Sequence, residues 1–207
     1  MLAYIKGTLE MKMTDYVVID VGGLGYKVFM ANTWIEKLGN IGEEVKVYTY
    51  YKVREDDISI FGFNTNEELR MFELLISVSG VGAKTAITML AVCEPSEFAL
   101  AIISEDITTL KQIPGIGVKS AQRIILELKD KVKKEQQIEQ LTKATKSGKT
   151  KLEEKIENDT KVQEAIAALQ VLGYNRKEIE KAFEKLDNKA KMSTEELIKK
   201  GLSILGR

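Results

Sequence analysis

Histidine is missing from this sequence altogether, and cysteine occurs once, as Cys93. Zinc fingers, Ser–His–Asp triads and imidazole acid–base catalysis are therefore excluded. Any chemistry would fall to carboxylates, Lys, Tyr or a bound Mg²⁺. A lone cysteine makes no internal disulfide, and Cys93 sits in the apolar run Met89-Leu90-Ala91-Val92-Cys93, the setting of a buried, inert thiol. No run of 18 apolar residues and no secretory leader pattern occurs, so a soluble, cytosolic protein is expected. Net charge is lacking too: 31 basic residues balance 31 acidic ones. That argues against a simple basic nucleic-acid binder. Hydrophobic residues make up 44% of the 207, enough for genuine cores.

What the chain does contain is a stretch written twice. Leu75-Ile76-Ser77-Val78-Ser79-Gly80-Val81-Gly82-Ala83-Lys84-Thr85-Ala86 is repeated 35 residues later as Leu110-Lys111-Gln112-Ile113-Pro114-Gly115-Ile116-Gly117-Val118-Lys119-Ser120-Ala121. Two matched motifs are a stronger signal than one. Each reads as a helix, a tight Gly-x-Gly turn, and a second helix opening beside a Lys: the helix-hairpin-helix pattern. Such a turn aims backbone N–H groups and the positive end of a helix at one place, which suits a phosphate. The first glycine allows the turn and the second allows close backbone approach. Val81 and Ile116 pack inward. Lys84 and Lys119 lie in the first turn of the following helix, and Arg123 is one turn past Lys119. The expected backbone-binding set is Gly80, Val81, Gly82, Lys84, Thr85, Gly115, Ile116, Gly117, Lys119, Ser120 and Arg123. Contacts of this kind hold a backbone and read little sequence.

Residues 1–64 alternate as strands do, over Leu2–Glu10, Tyr16–Val21, Tyr26–Met30, Val45–Val53 and Ile58–Phe63, with a short helix at Trp34–Leu38. Short strands with glycine bends predict a small OB-type barrel. The last hairpin turns at Arg54-Glu55-Asp56-Asp57, which reads either as a solvated acidic turn or as an acidic spike. Residues 65–134 are helical: Glu67–Val78, Ala83–Cys93, Pro95–Ser104, Ile107–Gln112 and Val118 to about Lys134. This segment is acidic, with 9 acidic and 6 basic groups over 65–130, so the surplus acid is expected to face away from any phosphate. Glu127 and Asp130 fall on its polar end, without evident partners. Residues 135–159, rich in Lys, Glu, Gln, Thr and Ser, read as a flexible linker. Residues 160–207 read as three helices beginning near Thr160, Asn175 and Ser193, a small docking module.

Two phosphate-loop lookalikes fail. Gly80-Val81-Gly82-Ala83-Lys84-Thr85 has Ala83 where the nucleotide loop needs glycine. Ser147-Gly148-Lys149-Thr150 has Lys143 at the first glycine position and no strand before it. The fold class is thus mixed α and β, in several domains: an N-terminal OB-type barrel, a central all-α domain with tandem helix-hairpin-helix motifs, a linker and a C-terminal three-helix bundle. A hairpin-motif nuclease or glycosylase would need a catalytic cluster that the residues do not supply. An RNA-binding OB protein is the other alternative.

Nearly the whole chain resembles the RuvA family, the linker carrying nothing specific. The resemblance is carried by Val53-Arg54-Glu55-Asp56 with Phe61-Gly62-Phe63, by both Gly-x-Gly-x-Lys turns, and by Ala168-Leu169-Gln170-Val171-Leu172-Gly173-Tyr174. It implies a non-enzymatic binder of four-way DNA junctions, a homotetramer built through the barrels, acting either as one tetramer on the junction or with a second on the other face as an octamer. It implies an acidic pin of Glu55 and Asp56 at the junction centre, with Asp57 an extra acid. It implies docking of the hexameric ATPase RuvB through the C-terminal helices, with Leu169, Leu172, Tyr174 and Ile198 as docking or core residues, and the resolvase RuvC in a larger complex. It implies no cofactor, no metal and no membrane.

Overall fold

A computed structural model describes residues 2–55, 57–143, 160–189 and 192–206, with backbone alone over 132–143. The chain divides into two compact units, one of residues 1–76 with 81–92 and one of 77–80 with 93–207.

The first unit is built on a closed five-stranded barrel: β1 (Tyr4–Lys12), β2 (Tyr16–Val21), β3 (Leu24–Phe29), β4 (Glu44–Val53) and β5 (Ile58–Phe63), with α1 (Asn32–Lys37) between β3 and β4. The strand order is β1-β2-β3-β5-β4, closed by antiparallel pairing of β4 with β1, and β3 pairs with β5 in parallel. This is the expected OB-type barrel. Alternation puts Ile5, Leu9, Val17, Ile19, Val28, Val45, Val47, Phe61 and Phe63 inside. Gly62 is required by space: a Cβ there would lie 2.4 Å from Val28 and 2.7 Å from Val47 side chains.

Helices α2 (Asn66–Ile76) and α3 (Ala83–Val92) complete this unit. The face α2 buries is Met71, Phe72 and Leu75, whereas Leu69 and Ile76 are only half-buried. Phe72 seats against Tyr50, Phe61 and Phe63, with ring centroids 4.9–5.8 Å apart. The entry to α2 is fixed by Glu68, whose carboxylate accepts the Asn64 and Thr65 amides at 2.8 and 3.1 Å, while Thr65 Oγ1 accepts the Glu68 amide at 3.2 Å. Burial pushes the Glu68 carboxyl above its usual range against the pull of those two amides.

The second unit holds α4 (Pro95–Ile103), α5 (Ile107–Lys111), α6 (Val118–Lys143), α7 (Thr160–Val171), α8 (Arg176–Glu184) and α9 (Thr194–Leu205). Sharp starts follow from local chemistry: Asp106 caps α5, and capping boxes at Asn175/Glu178 and Ser193/Glu196 open α8 and α9. α6 runs to Lys143, past the expected end near Lys134 and into the expected linker. The reason is propensity: Lys133-Lys134-Glu135-Gln136-Gln137 are strong helix formers, and no breaker occurs before Ser147-Gly148. The rest of the expected linker, 144–159, lies outside the described residues, as does the Ser147–Thr150 lookalike. α7 packs against α4, α6, α8 and α9. No single described helix is long and apolar enough to cross a membrane.

Candidate nucleic-acid interface

The two Gly-x-Gly turns have the same backbone logic. Gly80 and Gly115 adopt φ of +87° and +85°, the left-handed region that glycine enters without strain. Gly82 and Gly117 do not, and a Cβ on either would meet nothing within 4 Å. The fold therefore demands the first glycine of each pair, while nothing in the fold demands the second. The first intrahelical bond of α3 runs from the Ala86 amide to the Gly82 carbonyl, and that of α6 from the Ala121 amide to the Gly117 carbonyl, each at 2.9 Å. Gly82 and Gly117 thus stand at equivalent N-caps. The amides of Ala83, Lys84 and Thr85, and those of Val118, Lys119 and Ser120, are left without helical acceptors. Lys84, Lys119, Ser120 and all four glycines are exposed, and Thr85 is half-buried. Each turn is an open concentration of N–H groups beside an ammonium, which is the chemistry an oxyanion seeks.

Not every expected backbone donor is available. The Ile116 amide is already given to the Ile113 carbonyl at 3.1 Å, and the Ile116 side chain is buried at 6% exposure. Ile116 is thus the anchor of its hairpin and not a donor. Val81 is half-buried. Arg123 is exposed, but its guanidinium is partly engaged: Nη1 donates to the Ser79 carbonyl at 3.4 Å, and Nε lies 3.9 Å from Glu127 Oε1.

Glu127 corrects the sequence reading more sharply. It is not an unpartnered acid on a polar helix end, because its Oε2 accepts the Ser79 amide at 3.2 Å. One helical turn further on, the Lys131 ammonium hydrogen-bonds the Ser77 hydroxyl. Ser77, Ser79, Glu127 and Lys131 were missed as a group. The i, i+4 spacing of Arg123 and Glu127 is visible in sequence, but their shared partner 44 to 48 residues earlier is not.

The acidic hairpin is closed by the Arg54 amide donating to the Asp57 carbonyl at 2.8 Å, beyond the last strand pair, Val53 with Ile58. Glu55 is exposed at the bend, and Asp56 lies outside the described residues. Asp57 does different work: its Oδ2 accepts the hydroxyl of Ser59 at 2.6 Å. That carboxylate braces the base of the hairpin, which leaves Glu55 as the described acid at its tip. The exposed neighbours Val53 and Ile58 flank the base.

The C-terminal expectations meet a plain burial result. Leu169, Leu172 and Ile198 are fully buried and Tyr174 is 7% exposed. Leu169 is interior because Gly201 of α9 lets it approach: a Cβ at 201 would lie 2.8 Å from Leu169 and 3.0 Å from Phe183. As arranged here these four residues are core and offer no docking surface. Among the described residues, no group of three or more Cys, Asp or Glu is gathered to hold a metal ion.

Residues 1–62 match the family described as RuvA N terminal domain, residues 72–130 the SAM-like Helix-hairpin-helix tandem, and residues 160–206 the RuvA, C-terminal domain. A curated protein of Acetivibrio thermocellus, named Holliday junction branch migration complex subunit RuvA, is 48% identical over 208 residues, covering 100% of both chains. A protein of the same name from Ruminiclostridium cellulolyticum is 45% identical over 99% of this chain and 100% of its own. Another, from Clostridium perfringens, is 40% identical over 100% of both. With full-length coverage at these identities, the chain belongs to the RuvA family.

Proposed function

We propose that this protein binds four-way DNA junctions by their backbones, without reading sequence and without catalysing a reaction itself. It holds the junction open for a RuvB-type hexameric ATPase that drives branch migration in homologous recombination and repair. The observation that carries this reading is the pair of glycine-capped helix N-termini, each with unpaired amides and an exposed Lys two residues on, in a chain of this family. The curated relatives' name, subunit of a Holliday junction branch migration complex, supports it.

In this reading Gly80, Gly82, Gly115, Gly117 and the helix-opening amides take phosphate oxygens, with Lys84, Thr85, Lys119, Ser120 and Arg123 alongside. The protein acts in the cytoplasm as a homotetramer assembled through its barrels, and a second tetramer on the opposite face makes an octamer. Glu55 and Asp56 from four subunits meet at the junction centre, where like charge repels the exchanging backbones. The exposed side of α7–α9 docks the motor, and Leu169, Leu172, Tyr174 and Ile198 hold those helices in shape. A RuvC-type resolvase joins the same junction in a larger assembly. A neutral chain can do this because each subunit contributes few phosphate contacts and the tetramer multiplies them.

The test is a titration of the full chain against a four-way junction, a linear duplex of matched sequence, and single-stranded RNA, at one salt concentration. Junction preference of at least about tenfold over linear duplex is expected. Equal binding to junction and duplex overturns the reading, and preference for RNA replaces it with the RNA-binding alternative.

A further inference from the structure

Helix α6 starts at the second hairpin and carries Arg123, Glu127 and Lys131 at four-residue intervals, so they share one face. That face meets the first hairpin. Glu127 Oε2 accepts the Ser79 N–H at 3.2 Å, Arg123 Nη1 donates to the Ser79 carbonyl at 3.4 Å, and the Lys131 ammonium reaches the Ser77 hydroxyl. Both backbone polar groups of Ser79 are thereby held from α6, directly before Gly80 takes its φ of +87°. A turn residue is otherwise anchored by neighbours in sequence; here the anchor is a helix that belongs to the other hairpin. Glu127 also stands 3.9 Å from Arg123 Nε, which orients the guanidinium toward Ser79.

We propose that Glu127 is a positioning residue for DNA binding: it fixes the first hairpin in its phosphate-accepting shape and aligns Arg123, without touching DNA. This rests on the junction-binding reading above. A carboxylate on a surface meant for phosphates is unfavourable by charge alone. On a Coulombic account its removal raises affinity, whereas on the positioning account its removal lowers affinity. The sign of the effect separates the two.

Two substitutions in the full-length chain carry the test. Glu127→Ala deletes the acceptor for Ser79. Glu127→Gln keeps a carbonyl oxygen at the same reach and removes the charge. Junction affinity is expected to fall about five- to tenfold in Glu127→Ala, within the net worth of one ordinary intramolecular hydrogen bond. In Glu127→Gln it is expected to stay within about twofold of the parent. The Ser79 amide, followed by NMR hydrogen exchange without DNA, is expected to exchange at least about tenfold faster in Glu127→Ala and near the parental rate in Glu127→Gln. Circular dichroism confirms that each variant is folded, and if Glu127→Ala is not, the Gln variant's amide exchange and binding decide alone. Parental or tighter binding by Glu127→Ala overturns the proposal, as does a Gln variant as weak as Ala or a Ser79 amide indifferent to both changes. If the parent protein shows no junction preference, the functional reading fails instead, and the amide exchange still reports on whether Glu127 holds the turn.

Discussion

The two glycines of each turn should respond to alanine in different ways. Gly115 has φ +85°, where an L-residue is strained by about 1–2 kcal/mol. For a chain of this size each kcal/mol moves Tm by roughly 2–4 °C, so Gly115→Ala should lower Tm by about 2–8 °C. Gly117 has no such strain, and an added methyl meets nothing within 4 Å. At an N-cap, alanine is worse than glycine by about 0.5–1 kcal/mol, and the stiffer unfolded chain returns a similar amount. Gly117→Ala should therefore leave Tm within about 2 °C of the parent. Its effect on DNA should be much larger. In the proposed binding mode the methyl stands where a phosphate oxygen would approach the amides of Val118, Lys119 and Ser120. Each charge-assisted bond lost is worth about 1.5–3 kcal/mol, so junction affinity should fall by about tenfold to a hundredfold. Calorimetric Tm and fluorescence anisotropy with a labelled junction, both at one salt concentration, measure the two quantities. A Gly117→Ala protein that binds like the parent would refute the reasoning. So would a loss of binding no greater than its loss of stability explains.

Other outcomes follow from the same geometry. Replacing Glu55 and Asp56 together by Lys should preserve or tighten junction binding while disturbing motor-driven migration; a collapse of affinity would remove the pin from the mechanism. Gly201→Ala forces a Cβ to within 2.8 Å of Leu169, an overpacking worth about 1–3 kcal/mol. Stimulation of a RuvB-type ATPase should fall in that variant and junction affinity should not; a parallel loss of both would deny the C-terminal helices a separate role. Burial, with the Glu97 carboxylate adding to it, pushes the Cys93 thiol up to about 12. The folded protein at pH 8 should therefore resist a thiol-specific reagent and react fully once denatured, and rapid labelling of the native chain would contradict the burial of Cys93.

The barrel was legible because period-two alternation with one buried face is a strong constraint: Tyr16–Val21 and Ile58–Phe63 run over the residues expected. The Gly-x-Gly turns were legible because glycine at a positive-φ position has few substitutes. What escaped was long-range or depended on competing local choices. Nothing in the order of residues says that Glu127 reaches back to Ser79, or that Asp57 spends its carboxylate on Ser59 while Glu55 stays at the tip. Leu169, Leu172 and Ile198 carried the same ambiguity. An apolar side chain in a three-helix module is core or interface according to what lies opposite it, and Gly201 and Phe183 lie opposite Leu169. The end of α6 escaped for a different reason: a polar, charged run reads as linker by composition and as helix by propensity, and propensity won as far as Lys143.

The acidic balance of the hairpin region also acquires a physical account. With 9 acidic and 6 basic groups over residues 65–130, the region was expected to turn its surplus carboxylates away from phosphates. Instead, several are consumed within the fold. Glu68 binds the amides of Asn64 and Thr65, Asp106 those of Thr108 and Thr109, and Glu127 that of Ser79. Glu105 pairs with Lys129 at 2.5 Å and Glu94 with Lys199 at 3.8 Å. Bonds from Thr109's hydroxyl and amide, joined by the Thr108 amide, hold the Asp106 carboxyl below its usual range. The stabilisation from that group is therefore present above the ordinary carboxylate pKa and is lost as pH falls through the lowered one. A carboxylate that accepts bonds from amides or pairs with an ammonium keeps its charge but projects less field than a free one. The exposed positive features at the two turns, Lys84, Lys119 and the helix-opening amides, then face less opposing field than the formal count of the segment implies. Net charge therefore misjudges this surface, because it counts every ionised group equally and ignores which of them the backbone has already satisfied.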